Sequence, residues 1–237
     1  MIDLSADVAE GAPGENEIWP MIHSANVACG GHVGDATSMT DAVRRARRFN
    51  VRLGAHPSYP DRENFGRKSM TMAPPALRTT LMQQIAALRE IAVREAVPLV
   101  FMKPHGALYN DAHKDIVLAG VIVEAIREVD PHLALVCPSN SEMAAAARTS
   151  GTTVIREAFA DRMYNADGSL VSRSIPGSLL SIEEAADQAE LLALERIVIA
   201  RDGSRVAVPF DTICIHADME NAVERLRAIR KRLESMQ

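Results

Sequence analysis

The chain has 237 residues, of which 47% are hydrophobic and 24% are charged, and its formal net charge is −5. This composition is ordinary for a globular protein with a sizeable core, and the mildly acidic balance is a poor match for nucleic acid or an anionic membrane surface. No apolar stretch approaches the ~18 residues that a membrane span needs, and no basic segment followed by an apolar one opens the chain, so we expect a cytoplasmic protein.

Short apolar runs alternate with longer helical patterns from one end of the chain to the other. The predicted strands are Ile2–Asp7, His23–Ala28, Val51–Ala55, Leu99–Lys103, Leu133–Val136, Thr153–Arg156 and Thr212–Ile215. The predicted helices are Asp35–Phe49, Pro74–Glu95, Ile116–Glu128, one that begins at a capping box of Ser139 and Glu142, one that runs from a capping box of Ser181 and Glu184 to about Glu195, and Asn221–Glu234. Ile197–Ala200 and Arg205–Val208 flank Asp202 and Gly203, which predicts a small hairpin.

The alternation of strands and helices predicts parallel βαβ units. The glycine-rich phosphate fingerprint of a dinucleotide-binding sheet is missing after the first strand. Polar residues instead follow nearly every strand, as they do in barrels whose loops build a site at one face. We therefore predict a single domain over residues 1–237 that forms a seven-stranded, TIM-like α/β barrel.

Ionisable and amide side chains concentrate around the predicted strand ends. Four of the seven histidines lie there, namely His32, His56, His105 and His216. Their companions are Asp7, Glu10, Asn26, Lys103, Tyr109, Asn110, Glu157, Asp161, Arg162 and Asp218. Because parallel strands of a barrel end at one mouth, we expect Asp7, His32, His56, Lys103, His105, Glu157 and His216 to line one pocket. His23, at a strand start, His113, in a predicted loop, and His132 receive no role.

Taken singly, these residues have simpler explanations. Asp7 could cap a turn, and Asp35 precedes a helix as an ordinary N-cap residue. Cys29 could be a nucleophile beside His32, but packing of a buried thiol at a strand end explains it more simply. The prediction of a site therefore depends on the concentration of these groups and on no single member.

Two chemistries suit such a set of side chains. A divalent metal held by Asp7, His32, His56 and His105 would polarise a carbonyl and activate water. Alternatively, a carboxylate activates water without a metal, while a lysine or histidine stabilises the oxyanion and protonates the leaving nitrogen. The chain contains no H-E-x-x-H and no His-x-His, so its spacing gives only a weak metal signal, and it has neither a G-x-S-x-G elbow nor a Walker-type phosphate loop.

Six stretches resemble the LamB/YcsF family of 5-oxoprolinase A subunits and follow that family's order. They are DLSADVAEG at 3–11, SANVACGGHVGD at 24–35, LGAHPSYPDRENFGR at 53–67, FMKPHGALYN at 101–110, EAFADRMYNADGSLVSRS at 157–174 and DTICIHAD at 211–218. The chain departs from the family's usual residues near the mouth, with Ala9 where glycine is usual and Gly31 where phenylalanine is usual.

The resemblance implies a barrel related to sugar deacetylases and an ATP-dependent opening of 5-oxoproline to L-glutamate. It also implies two partner subunits, B and C, with which ATP would be used. Within the matching motifs we assign catalysis to Asp7, Glu10, Lys103 and His105. We assign substrate binding to Asn26, His32, His56, Tyr109, Asn110, Glu157, Asp161, Arg162, Arg173, His216 and Asp218.

Two other functions stay open at this point. One is a stand-alone metal-dependent amidohydrolase or deacetylase, and the other is a non-catalytic subunit that binds a lactam or a sugar. The density of ionisable groups argues against simple binding. The sequence also leaves open a homo-oligomer and a required divalent metal.

Overall fold

Seven parallel strands close into a barrel in the computed structural model, which describes residues 2–236. In barrel order they are β1 (Asp3–Val8), β2 (Ser24–Ala28), β3 (Arg52–His56), β4 (Leu99–Met102), β5 (Ala134–Cys137), β6 (Val154–Phe159) and β9 (Thr212–Ile215). The barrel is closed by β9, which pairs with β6 on one side and with β1 on the other. The predicted hairpin is also present, with β7 (Ile197–Ile199) antiparallel to β8 (Arg205–Ala207). The seven-stranded α/β barrel predicted from the sequence is therefore confirmed.

The helices lie around this barrel. They are α1 (Glu15–Ile18), α2 (Ala36–Phe49), α3 (Pro74–Arg94), α4 (Gly106–Lys114), α5 (Ile116–Val129), α6 (Glu142–Ser150), α7 (Ile182–Glu195) and α8 (Ala222–Glu234). Helices α1 and α4 were not predicted. In α4 the first residue is Gly106, a poor helix former, and Asp115 caps the next helix directly after its end. In the described part of the chain, no helix has both the length and the apolar character that a membrane crossing requires.

One of the two predicted capping boxes is wrong. Ser181 and Glu184 exchange both hydrogen bonds of the box, as predicted. The other helix begins at Glu142, and its N-cap is Ser141, whose hydroxyl accepts the Ala144 amide. Ser139 instead belongs to the preceding turn, which is closed by the Ser141 hydroxyl donating to the carbonyl of Pro138.

Strands β1 and β6 extend beyond their predicted ends, as β3 and β5 each do by one residue. The extension of β6 carries Glu157, and that of β1 directly follows Asp7. Strand β1 continues to Val8 because Asp7 and Val8 pair with Asn26 and Val27 of β2. Strand β6 continues to Phe159 because its last three residues pair with β9. Asp7 and Glu157 therefore stand on rigid strands, where sheet hydrogen bonds fix their side-chain direction.

The core joins strand and helix side chains. Leu53 on β3, Leu81 and Leu88 on α3 and Ile122 on α5 are all fully buried. Every residue of β2, β5 and β9 is buried, as is usual for a parallel sheet covered by helices. The three cysteines are unpaired and buried, and burial raises the pKa of both Cys29 and Cys137 to about 12. A neutral thiol of this kind is no nucleophile at physiological pH.

Candidate functional site

A cavity of about 570 Å³ opens at the carboxyl ends of the barrel strands. This volume is typical of small-molecule sites. Its wall contains twelve of the fifteen predicted site residues, namely Asp7, Glu10, His56, Lys103, His105, Tyr109, Asn110, Glu157, Arg162, Arg173, His216 and Asp218. Residues from many strand ends therefore meet at one mouth.

The other three predicted substrate-binding residues do not line the cavity. Asn26, His32 and Asp161 are at most 2% exposed and lie behind the wall. Each instead hydrogen-bonds to a wall residue, Asn26 to Asp7, His32 to Glu10 and Asp161 to His216. The expectation that His32 lines the pocket is therefore wrong, since His32 lies behind two wall residues that it contacts, Glu10 and His105.

The cavity wall also includes residues that received no role from the sequence. Arg67 ends the matching stretch 53–67, and Phe159 ends β6. His113 lies one helical turn after Tyr109 on α4, so the two share a face toward the cavity. That spacing would have pointed to His113 if the segment had been recognised as a helix.

A buried ammonium group lies between two carboxylates at the floor of the cavity. Lys103 Nζ is 2.9 Å from Asp7 Oδ1 and 2.9 Å from Glu157 Oε1. Asn26 Nδ2 also donates to Asp7 Oδ1 at 2.8 Å, and the Tyr109 hydroxyl donates to Glu157 Oε2 at 2.7 Å. The three charged groups and their two neutral partners form one continuous network.

Both directions of pKa shift in this network favour the ion pair. Burial alone would raise the pKa of Asp7, but its interactions with His56 and Lys103 hold it well below its usual range. Burial alone would lower the pKa of Lys103, but Asp7, Cys214 and Glu157 hold it well above its usual range. Lys103 therefore stays cationic beside the cavity.

Glu10, His32, His56 and His105 form a second cluster, which we call the Glu–His cluster. Each offers one ligand atom, and these atoms all lie within 4.8 Å of one another. Glu10 Oε1 is 3.0 Å from His32 Nε2 and 3.5 Å from His105 Nδ1, and the His32 ring stacks on that of His105. Burial and the charges of Asp7 and Asp218 raise the pKa of Glu10, so its carboxylate lacks sufficient positive charge around it.

Main-chain carbonyls fix the tautomers of two of these histidines. His56 Nδ1 lies 2.8 Å from the carbonyl oxygen of Lys103, and His105 Nε2 lies 3.0 Å from that of Phe65. A carbonyl only accepts, so both of these ring nitrogens carry the proton. The opposite nitrogens, His56 Nε2 and His105 Nδ1, then face each other with lone pairs at 2.9 Å. Such a pair requires a cation or a shared proton between the two rings.

The cluster corrects the predicted metal-binding set. The prediction placed Asp7 with the three histidines, but Glu10 takes that position. Asp7 Oδ1 is already occupied by Lys103 and Asn26, and its Oδ2 approaches His56 Nε2 only to 3.4 Å. Histidine nitrogens held by carbonyls, together with a carboxylate, are the donor set typical of zinc and similar divalent ions.

A strained turn aims Glu10 at the cluster. Ala9 adopts φ 61°, the left-handed region that disfavours residues with a Cβ. The Glu15 carboxylate holds this turn by accepting the amides of Ala9 at 2.8 Å and of Glu10 at 3.1 Å. The side chain of Glu10 thereby reaches His32 and His105, whereas Asp7 approaches only His56.

Another part of the wall contains a hydrogen-bonded pair, Asp161 and His216. The Asp161 carboxylate lies 3.1 Å from His216 Nδ1 and accepts the backbone amide of His216 at 2.7 Å. Burial opposes ionisation of Asp161, but the charge and hydrogen bonds of His216 lower its pKa to about 2. The Phe159 ring stacks on the imidazole, with centroids 5.3 Å apart and planes at 15°.

Arginines supply positive charge nearer the mouth. Arg67 and Arg173 both pair with Asp218. Arg162 is 5% exposed and donates to the carbonyl of Val171, and its Nε has no partner within residues 2–236. Burial and Arg173 lower the pKa of Arg162 only to about 10, so it stays charged at neutral pH. This part of the cavity suits a carboxylate or another small anion.

Known proteins of one family match this chain over nearly its whole length. The model of the LamB/YcsF family matches residues 2–237. Proteins named as the A subunit of 5-oxoprolinase, from Histophilus somni (strain 129Pt) and Haemophilus influenzae (strain PittGG), are each 43% identical over 98% of this chain, which corresponds to 95% and 96% of their own lengths. The crystal structure of a lactam utilization protein from Thermus thermophilus is 41% identical, covers 99% of this chain and 96% of its own, and superposes with a TM-score of 0.92. A putative cellobiose-phosphate cleavage protein from Enterococcus faecalis V583 shares only the fold, at 13% identity and a TM-score of 0.55 over 99% of this chain and 94% of its own.

Proposed function

Because the chain belongs to the LamB/YcsF family, we propose that it is the hydrolytic A subunit of a 5-oxoprolinase, which opens the lactam of 5-oxoproline to L-glutamate. The observation that carries the hydrolytic role is the cavity wall. A buried lysine cation, the Glu–His cluster and an arginine-rich mouth face one cavity of small-molecule size. Lactam hydrolysis needs all three: stabilisation of an oxyanion, activation of water and a hold on the substrate carboxylate.

Lys103 is the group best placed to stabilise the oxyanion. Its ammonium group is charged, nearly dry and fixed by Asp7 and Glu157 before any substrate arrives. A preorganised charge of this kind stabilises developing negative charge more effectively than water does. Arg162 and Arg173 would bind the carboxylate of 5-oxoproline, with Tyr109 and Asn110 closing the same wall.

Asp7 sets the electrostatics of this wall. Its Oδ1 orients Lys103, and its charge lies beside His56. We propose that Asp7 either activates the attacking water through its free Oδ2 or orients the histidine that does so.

The Glu–His cluster fits a divalent metal. Glu10, His32, His56 and His105 would hold it, and when bound the metal would polarise a carbonyl and lower the pKa of a bound water to about 7. The facing lone pairs of His56 and His105 support this assignment, because a cation between them removes their repulsion.

ATP belongs, in this proposal, with the partner subunits B and C. A five-membered lactam is a resonance-stabilised amide, so its opening needs coupling to a second reaction. The glycine-rich segment after β2 lacks the lysine of a phosphate cradle, and its Gly30 amide donates internally to the carbonyl of Val33. Arg62 also occupies the carbonyls of Gly30 and Gly34. A cytoplasmic location and a homo-oligomer stay predictions.

The test measures glutamate release from 5-oxoproline by the purified chain, with and without ATP and with and without subunits B and C. We expect release only when all components are present, and we expect Lys103→Ala to abolish it. Lys68→Ala, which removes an exposed lysine, is the matched control. Release by the isolated chain with ATP alone would contradict the division of labour and place the nucleotide in this barrel.

The Glu–His cluster favours one alternative, a metal-dependent amidohydrolase that needs neither ATP nor partners. The same assay separates the two functions. The alternative predicts that the isolated chain, loaded with zinc, hydrolyses an amide such as an N-acetylated sugar without ATP, and that Glu10→Gln abolishes this activity.

A further inference from the structure

We propose that His216, and not Asp7 or the histidine beside it, is the proton-transfer residue of lactam opening, and that Asp161 is its positioning residue. Asp7 then acts by orienting Lys103. From the sequence, both His216 and Asp161 are predicted to bind substrate. The inference rests on the proposed function, because it names the group that moves the proton in that reaction.

Asp161 holds His216 at two points. One carboxylate oxygen accepts the backbone amide of His216 at 2.7 Å, and both oxygens lie 3.1 Å from its Nδ1. Asp161 is fully buried, and the Phe159 ring stacks flat against the imidazole. The ring can therefore neither swing about its side-chain bonds nor exchange its partner for water.

The hydrogen bond to Asp161 also determines the tautomer of His216. An ionised carboxylate only accepts, so a neutral His216 carries its proton on Nδ1 and presents a lone pair at Nε2. His216 lines the cavity, and no protein group among residues 2–236 hydrogen-bonds to its Nε2. A buried carboxylate behind a histidine at a cavity is the arrangement by which hydrolases orient a base and stabilise the imidazolium that forms.

The remaining histidines around the cavity are committed elsewhere. His56 and His105 each donate to a carbonyl and turn their other nitrogen into the Glu–His cluster. His113 is half-buried at the end of α4, and no carboxylate within residues 2–236 hydrogen-bonds to its ring. His216 alone among these histidines combines a carboxylate partner with a cavity-facing nitrogen outside the Glu–His cluster, so far as residues 2–236 are concerned.

The charged groups around His216 come from several elements. The Phe159 ring stacks on the His216 imidazole, and its centroid lies 5.2 Å from Lys103 Nζ. Lys103 and His216 therefore lie on the same side of the cavity. The charges of Asp7 and Asp218 also act on His216.

The proton balance closes with His216 as both acceptor and donor. As the water oxygen bonds to the lactam carbonyl carbon, one water proton passes to His216 Nε2. The carbon–nitrogen bond then breaks, its electron pair stays on the nitrogen, and His216 returns the same proton to that nitrogen. The product is a single molecule, L-glutamate. It has a new carboxyl group, which loses its proton, and a free amino group.

Kinetics on the complete enzyme separate proton transfer from substrate binding. In the complex with subunits B and C, His216→Gln should lower kcat by ~10²–10⁴-fold and leave KM nearly unchanged. His216→Ala should regain activity when imidazole is added, which a purely structural role would not allow. His132→Gln, at an exposed histidine, is the control. A raised KM with normal kcat, or the absence of imidazole rescue, would overturn the proposal.

A second measurement does not depend on turnover. Nitrogen-15 NMR of the isolated chain in alkaline buffer should show His216 protonated at Nδ1, and Asp161→Asn should abolish that preference while a cooperative unfolding transition shows that the variant is folded. Protonation of the wild-type ring at Nε2 overturns the dyad whatever the activity. If wild-type complex releases no glutamate while the tautomer is as expected, the proposed function fails and the geometry of the dyad stands.

Discussion

Replacement of Lys103 by methionine removes the ammonium group between Asp7 and Glu157 while keeping a side chain of similar length. Both nitrogen–oxygen distances are 2.9 Å, and all three residues are less than 5% exposed. Breaking a buried pair in this way costs about 3–5 kcal/mol, because uncompensated charge stays behind. For a chain of this length, 1 kcal/mol shifts the melting temperature by about 2–4 °C, so Lys103→Met should melt about 6–20 °C below wild type.

The pH dependence of that loss distinguishes charge from packing. Without the ammonium group, burial is opposed less strongly, and we expect the pKa of Asp7 to rise above the value of about 4 that it has in the unfolded chain. A raised pKa in the folded state means that stability is lost as pH increases through the shifted range. The penalty should therefore grow as pH rises from about 4 to neutral.

The assay is thermal unfolding in EDTA at several pH values, with Lys68→Met as the exposed control. In wild type, the lowered pKa of Asp7 gives the opposite trend, since that stabilisation is lost as pH falls below the unfolded value. A Lys103→Met variant that melts within about 1 °C of wild type, or a loss that does not change with pH, would refute the idea that the ion pair is needed for stability.

Three further substitutions test other parts of the fold and site by chemical denaturation, and a fourth tests turnover. Ala9→Gly should stabilise the chain by about 0.5–1 kcal/mol, since it relieves the left-handed strain at φ 61°, and a loss of stability would contradict that strain. Gly54→Ala should destabilise by about 1–3 kcal/mol, because its Cβ would overlap the Phe101 ring, and a neutral effect would show that the ring moves freely. Asp161→Asn should cost about 2–3 kcal/mol at neutral pH, and this difference should vanish as pH falls from about 4 to about 2, because the pKa of about 2 lies below the unfolded value of about 3.9. Asp7→Asn should lower glutamate release by the complex by ~10²–10⁴-fold with the fold intact, and near-normal turnover would rule out its catalytic role.

The barrel was predictable from the sequence because its signals are local. Each strand is a short apolar run, and several helices have a start signal of their own, such as the capping box of Ser181. Helix α4 was not predicted because its start is set by a tertiary contact. Gly106 has φ 58°, and a Cβ there would lie 2.5 Å from the carbonyl oxygen of Gly66 in another loop. Nothing in the sequence around residue 106 signals that contact.

The location of the site was predictable, but the contacts between its residues were not. Polar residues at strand ends indicated one mouth, and the structure places twelve of them on one cavity wall. The members of the Glu–His cluster come from four separate segments at irregular spacing, so no linear motif marks them. The choice of Glu10 over Asp7 depends on the turn at Ala9 and on the hold of Glu15, which only the folded backbone reveals.

The carbonyl groups that orient His56 and His105 have a consequence for mutational tolerance. Lys103 and Phe65 contribute these acceptors through their main chain, so the acceptors are present whatever side chain occupies either position. Substitution at residue 65 can remove its edge-on contacts with His32 and His105, yet it leaves the acceptor for His105 in place as long as the loop keeps its path. The protonation pattern of the histidines is thus set by the course of the main chain and not by the side chains at positions 65 and 103.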